Sequence, residues 1–249
     1  MQNNMDKITS VKNQLILDAC ELKQKKQQFE KQQYLVEGLN IVLDAIKNDA
    51  VELVLTTQKY LNNFESVKVV EISENVADKL SDLKNSQHVF AICKILKTEF
   101  FEDNVLVLDN IQDPGNLGTL IRSAKAFGFK NIYCSKETVS LYNPKVLRAI
   151  QGNHFEMNII YGDLIELISD LKEKGYFVVG TFLRDESQIK DIGELKNKKV
   201  ALVLGNEGQG IGQEVIKQCD KNYILNTTKD VESLNVAIAG SIIMHNIFN

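Results

Sequence analysis

An asparagine and an arginine, Asn116 and Arg122, follow the turn Asp113-Pro114-Gly115 at the start of an apolar-periodic stretch. The planar donors of an arginine suit phosphate or ribose oxygens. Further along, Gly205, Gly208, Gly210 and Gly212 crowd the end of an apolar run. Glycines there permit positive φ and let the backbone approach a flat ligand. Their spacing fits neither GxGxxG nor GxxxxGK[ST], which speaks against a dinucleotide or nucleoside-triphosphate fold. A third group, Ser233, Leu234 and Asn235, precedes a helix-like segment carrying Ala237, Ala239 and Gly240. Small side chains favour close packing, here expected against a partner subunit. A buried Asn235 would need hydrogen-bond partners. Taken singly, each group also has a plain reading as a solvated arginine, a tight surface turn or a packed helix face.

The elements around these groups alternate. Strand-like runs are expected over 105–109, 131–134, 177–181, 200–204 and 223–225, with helices over 117–127, 143–150, 163–174, 212–218 and 234–247. Strands alternating with helices imply an α/β domain with a mostly parallel sheet covered on both faces. Ligands of such sheets sit beyond the carboxyl ends of the strands, where all three groups fall. Asn116 reads as an N-cap for the helix from Leu117, and Ser233 as one for the helix from Leu234. Upstream, one helix is expected over 10–30, with Leu15, Leu22 and Phe29 at heptad spacing. A short apolar run over 34–37, a helix over 39–46, strands over 51–57, 67–72 and 89–95, and a helix capped by Ser73 complete a small α/β domain. The domain division expected is 1–97, a polar linker over 98–104, and 105–249.

The 249 residues are 44% hydrophobic and 25% charged, the composition of a soluble globular protein. Cys20, Cys93, Cys134 and Cys219 lie far apart, so no zinc site and no disulfide framework is suggested. The N-terminal stretch is polar and no apolar run is long enough for a bilayer, so a cytoplasmic protein without membrane association is expected. A net charge of -4 lends no support to nucleic-acid binding as a whole. A local basic footprint is conceivable over Lys7, Lys12, Lys23, Lys25, Lys26 and Lys31, interleaved with acids as on a solvated helix. His88, His154 and His245 are scattered, and the chemistry sketched above requires no Cys or His nucleophile.

The three groups, in this order, resemble the motifs of the SpoU/TrmH branch of the SPOUT superfamily, RNA ribose 2′-O-methyltransferases. Asn116, Gly118 and Arg122 match an NxGxxxR core, Leu204-Gly205-Asn206-Glu207-Gly208 an LGxEG loop, and Ser233-Leu234-Asn235-Val236 the SLNV motif. Tyr34-Leu35-Val36-Glu37-Gly38 is similar to the FLVEG of the family's ribosomal-protein-like substrate-binding domain. The resemblance implies a trefoil knot, S-adenosylmethionine as cofactor, an RNA substrate with ribosomal RNA ahead of transfer RNA, and a homodimer. It implies cofactor contacts at Gly205, Leu225 and Leu234, with Thr181, Leu204, Asn206, Glu207, Gly208 and Ser233 nearby. It also implies a catalytic set of Arg122, Asn116, Glu207, Ser233 and Asn235, in which Arg122 matches the residue proposed to take the hydroxyl proton. Leu225-Asn226-Thr227 stands where the family usually has Ile-Pro-Met, Ile150 where it has Ser, and Asn158 where it often has Pro. These departures fall on the adenine pocket's side chains and leave its backbone contacts available. A binding module of the same fold, a nucleotide-dependent enzyme of another class, and a base-methylating relative are the alternatives. Uptake of S-adenosylmethionine separates the first two from a methyltransferase.

Overall fold

The computed structural model describes residues 7–182, 188–196, 198–228, 230 and 233–249. The chain forms two compact units. The first opens with α1 (Gln14–Glu21) and α2 (Lys25–Lys31), then β1 (Gln33–Glu37), α3 (Leu39–Lys47), β2 (Val51–Thr56), β3 (Val69–Glu71), α4 (Glu74–Leu80) and β4 (Val89–Lys94). Its sheet runs β1-β4-β2-β3, antiparallel except for the parallel pair β2 and β3. One face of this sheet packs on α1 and α4 through Ile16, Leu35, Leu55, Ile72, Val76 and Phe90.

The helix expected over 10–30 is broken. Leu22 closes α1 as its C-cap, and its carbonyl accepts from the Gln28 amide at 2.8 Å. Gln28 is fully buried, and a buried amide must be satisfied. A straight helix would leave that carbonyl to an intrahelical partner, so the bend and the buried Gln28 belong together. The lysines of this region mostly have nearby carboxylates: Lys7 with Glu71, Lys23 with Asp82, Lys26 with Glu30, and Lys31 with Glu21 and Asp18. The candidate basic footprint is therefore largely neutralised.

The rest of the chain supplies β5 (Val105–Leu108), α5 (Pro114–Ala126), β6 (Asn131–Ser135), α6 (Pro144–Ile150), β7 (Asn158–Gly162), α7 (Leu164–Glu173), β8 (Phe177–Gly180), β9 (Val200–Leu204), α8 (Gln213–Gln218), β10 (Lys221–Asn222) and α9 (Val236–Phe248). Six parallel strands form the second sheet, in the order β10-β8-β9-β5-β6-β7. The central strands β5, β6 and β9 are buried along their whole length, as the continuous apolar runs require. On one face Leu164, Ile168, Leu171 and Val215 of α7 and α8 close the core. On the other, α5 packs with α9, where Ser123 and Ser241 share a 2.7 Å hydrogen bond.

Several boundaries differ from those expected. β7 is an additional edge strand, partly exposed beyond Asn158, which blurs the apolar signal of a buried strand. Residues 223–225 are not a strand. The sheet edge is instead the two-residue β10, anchored by a fully buried Asn222 whose amide donates to the Phe182 carbonyl at 2.8 Å. Asn116 lies inside α5, which begins earlier at Pro114 and is capped by Asp113, whose Oδ1 accepts from Asn116 N at 2.8 Å. Proline at the first helical position and an acidic cap explain the earlier start. Ser233 does not cap α9 either. Asn235 does, accepting from Ala237 N and Ile238 N. Gly240 is turned inward, where an added Cβ would lie 2.5 Å from Leu204 and 2.8 Å from Leu120. The buried Ala237 and Gly240 therefore serve the unit's own core instead of a partner.

The chain's contacts also draw the domain division differently. Residues 98–104 pack into the second unit: Phe101 and Asn131 exchange hydrogen bonds, and Asn104 Oδ1 accepts from Val200 N. Ser140–Phe155, including α6, packs with the first unit. Tyr142 stacks on Tyr34 with ring centroids 4.3 Å apart, and the Tyr34 hydroxyl lies 3.2 Å from His154 Nε2. Gln28 donates to the Tyr142 carbonyl and accepts from the Ser140 hydroxyl.

Burial raises the pKa of Tyr34, Tyr142 and Cys93, and pushes that of Cys219 up to about 12. Released by unfolding, these groups return towards the ordinary values of 9.0 for the thiols and 10.0 for the phenols. Their folded values are raised, so the stability they contribute is complete below about pH 9 and is lost as pH rises further. Thermal melting from pH 7 to 10.5 should therefore show a steady Tm up to about pH 9 and a progressive fall beyond it.

Candidate active site

The site forms in the second unit, where β5, β8 and β9 end. β5 and β9 are neighbours, so their following loops lie side by side. Asp109 N donates to the Leu204 carbonyl at 2.9 Å, and Asp109 Oδ2 accepts from Gly212 N at 2.8 Å. Asn110 adopts φ 58°, a region asparagine tolerates, and its carbonyl accepts from the Asn206 amide at 2.9 Å. These two residues, unremarked in the sequence, lock the first motif to the glycine loop.

The loop itself is shaped by Asn206. Its backbone exchanges hydrogen bonds with Gly210, and its Oδ1 accepts from Gly208 N and Gln209 N. The side chain of Asn206 is thus committed to the loop, leaving only its backbone surroundings for a ligand. Gly205 is required by a close approach: a Cβ there would come within 2.3 Å of the Gly210 carbonyl carbon and of Ile211 N.

Three of the sequence-derived residues are joined by one line of hydrogen bonds. Asn235 Nδ2 donates to Asn116 Oδ1 at 2.9 Å, and Asn116 Nδ2 donates to Glu207 Oε1 at 2.7 Å. The carboxylate can only accept, so Asn116 must turn its amide nitrogen to Glu207 and its oxygen to Asn235. Asn235 then has its own oxygen free for the first N–H groups of α9, which can only donate. Each motif thereby fixes the next.

The remaining site residues stand outside that line. Arg122 is exposed on α5 and makes no ion pair or hydrogen bond to a described residue. Ser233 and Leu234 are exposed, and Leu225 is half-buried. No hydrogen bond joins the backbone of Leu225, Ser233 or Leu234 to another described residue. Leu204 contributes its side chain to the core and its carbonyl to Asp109. Thr181 donates its hydroxyl to the Val203 carbonyl at 3.2 Å.

A cofactor with a polar, hydrogen-bonding ring fits these backbone groups. Those of Leu225, Ser233 and Leu234 are uncommitted among the described residues, and the glycine loop is closed tightly enough to exclude a side chain at Gly205. The departure Leu225-Asn226-Thr227 changes side chains and keeps the backbone groups, so it does not remove the fit.

The family model described as SpoU rRNA Methylase matches residues 103–245, and the MRM3-like substrate binding domain matches 13–91. The 23S rRNA (guanosine(2553)-2′-O)-methyltransferase RlmP of Bacillus subtilis (strain 168) is 30% identical over 248 residues, covering 98% of this chain and 99% of the relative. The 23S rRNA (guanosine-2′-O-)-methyltransferase RlmB of Coxiella burnetii is 29% identical over 237 residues, covering 86% and 94%. Among solved structures, an AdoMet-bound rRNA methyltransferase from Sinorhizobium meliloti superimposes with a TM-score of 0.85 at 26% identity, covering 97% of each chain. The motif order, the joined side chains and these full-length likenesses agree, and the chain belongs to the SpoU rRNA methylase family.

Proposed function

We propose that this protein methylates a ribose 2′-hydroxyl of RNA, using S-adenosylmethionine, and that its substrate is 23S ribosomal RNA. The observation that carries this reading is the line Asn235–Asn116–Glu207, which ties the three motif segments into one site. The choice of ribosomal RNA is supported by the substrate-binding match over 13–91 and by the activities for which RlmP and RlmB are named. The trefoil knot implied by the resemblance belongs to the same proposal, as does a cytoplasmic location. Among the described residues, no helix is long and apolar enough to cross a membrane.

When bound, S-adenosylmethionine supplies a methyl group on a positively charged sulfur. The chain's part is alignment and electrostatics. Backbone groups of Gly205, Leu225 and Leu234 hold the cofactor, with the Thr181, Leu204, Asn206, Gly208 and Ser233 segments forming the surrounding walls. The Glu207 carboxylate, held by the Asn116 amide, offsets the positive charge of the cofactor's sulfur and of Arg122. Arg122 remains protonated at ordinary pH. Uncommitted to any described residue, it is available to hold a substrate phosphate and to stabilise negative charge developing on the ribose oxygen. Asn116 and Asn235 are positioning residues that keep α5, α9 and Glu207 in register.

The homodimer is supported by α9. Its outer side leaves Ile238 and Ile242 exposed one turn apart, with Ile238 at 52%, flanked by exposed Leu234 just before the helix and Phe248 at its end. A row of large apolar side chains on water marks an association surface.

Arg122→Ala should lower turnover by at least about 100-fold, the scale of losing a charge-stabilising donor, with S-adenosylmethionine affinity by calorimetry little changed. Gly205→Ala should do the reverse in binding: its Cβ clashes with backbone, and calorimetric affinity should fall more than tenfold, by our estimate from overpacking costs of about 1–3 kcal/mol. Asn116→Asp sets a carboxylate against Glu207, so activity should fall steeply at neutral pH, whereas retention of full activity would refute the register role. Ile238→Asp should convert the dimer to a monomer in sedimentation velocity and abolish activity; a wild-type monomer would refute the assembly.

A further inference from the structure

Arg148 is the residue of the first unit that the fold does not explain. It lies in the last turn of α6, beside a small cleft that it shares with Lys23, Leu35, Glu37, Leu80 and Asp82. Its Nη1 is buried and has no hydrogen-bond partner, and no described residue forms an ion pair with its guanidinium. A buried, unsatisfied charged donor is costly and calls for an acceptor from elsewhere.

The carboxylates in the same cleft are already engaged. Glu37 accepts from the hydroxyls of Ser81 and Ser86 at 2.5 and 2.7 Å, and from Asp82 N at 3.3 Å. Asp82 is paired with Lys23 at 2.8 Å. The apolar side chains of Leu35 and Leu80 line the remaining wall. Neither carboxylate reaches Arg148: Glu37 is held by neutral donors and Asp82 by Lys23, so Arg148 Nη1 has no acceptor among the described residues. The small cleft suits a single acceptor, such as one oxygen of a larger group, and a guanidinium pairs well with a phosphate oxygen.

We infer that Arg148 binds a backbone phosphate of the RNA substrate in the cleft of the N-terminal unit. The inference rests on the functional reading above for the identity of the RNA. It adds a substrate contact within the first unit, which the motif resemblance does not assign.

The test is binding of a 23S rRNA transcript by filter retention over a salt series, with wild type, Arg148→Met and Arg148→Lys. Loss of one phosphate contact should reduce the slope of log K against log salt by roughly 0.7–0.9. Affinity at physiological salt should fall about tenfold in Arg148→Met, and Arg148→Lys should recover most of the slope. Thermal melting separates this from a structural role. Removing an unsatisfied buried donor should leave the Tm of Arg148→Met unchanged or higher. An unchanged slope in Arg148→Met overturns the inference, as do equal losses in both variants accompanied by a lower Tm. Calorimetry with S-adenosylmethionine on the same proteins keeps the readings apart. Cofactor uptake with an Arg148-independent slope sinks the phosphate contact alone, whereas a wild type that takes up neither cofactor nor transcript sinks both.

Discussion

The direction of two amide groups holds the catalytic unit's three motifs in one arrangement. Glu207 accepts and cannot donate; the first amides of α9 donate and cannot accept. Between these fixed ends Asn116 and Asn235 have a single consistent orientation. Either side chain reversed would bring acceptor against acceptor or donor against donor. Such a network is worth having only when complete, because each missing partner leaves a polar group unsatisfied. The glycine loop, the helix after β5 and the C-terminal helix are thus specified together, though 119 residues separate Asn116 from Asn235.

The sheet makes this possible. Its order sets β5 beside β9 and β8 beyond β9, so loops distant in sequence emerge side by side. The central strands are buried along their whole length, as helices on both faces require, and this base carries short, hydrogen-bonded loops. Asp109, Asn110 and Asn206 spend their polar groups on loop shape. Arg122, Ser233 and the backbone at Leu225 and Leu234 are left uncommitted. The site therefore divides into residues that build it and residues that no described neighbour engages.

Much of this was legible in the chain. Continuous apolar runs alternating with helical periodicity indicated the parallel sheet, and the three motifs indicated the family. The boundaries were less legible, for identifiable reasons. Capping residues compete within a few positions: Asp113 with Pro114 beside it outranks Asn116, and Asn235 outranks Ser233. A small-residue stripe such as Ala237–Gly240 signals close packing without saying what packs there, and here it is Leu204 and Leu120. The bend between α1 and α2 depends on Gln28, whose partners Tyr142 and Ser140 lie more than a hundred residues away. No local pattern carries that information. Arg122 could be named only through the motif, since no described residue pairs with its side chain.

The short stretch from Ser140 to Phe155 completes the first unit although the second unit's first three elements, β5, α5 and β6, precede it. During synthesis the early domain must therefore wait. Until α6 and Tyr142 leave the ribosome, the aromatic face of Tyr34 has no cover, and the nascent domain is unfinished while β5, α5 and β6 are already emerging. The two units cannot mature strictly one after the other, and a chain interrupted anywhere before Phe155 carries an incomplete first unit.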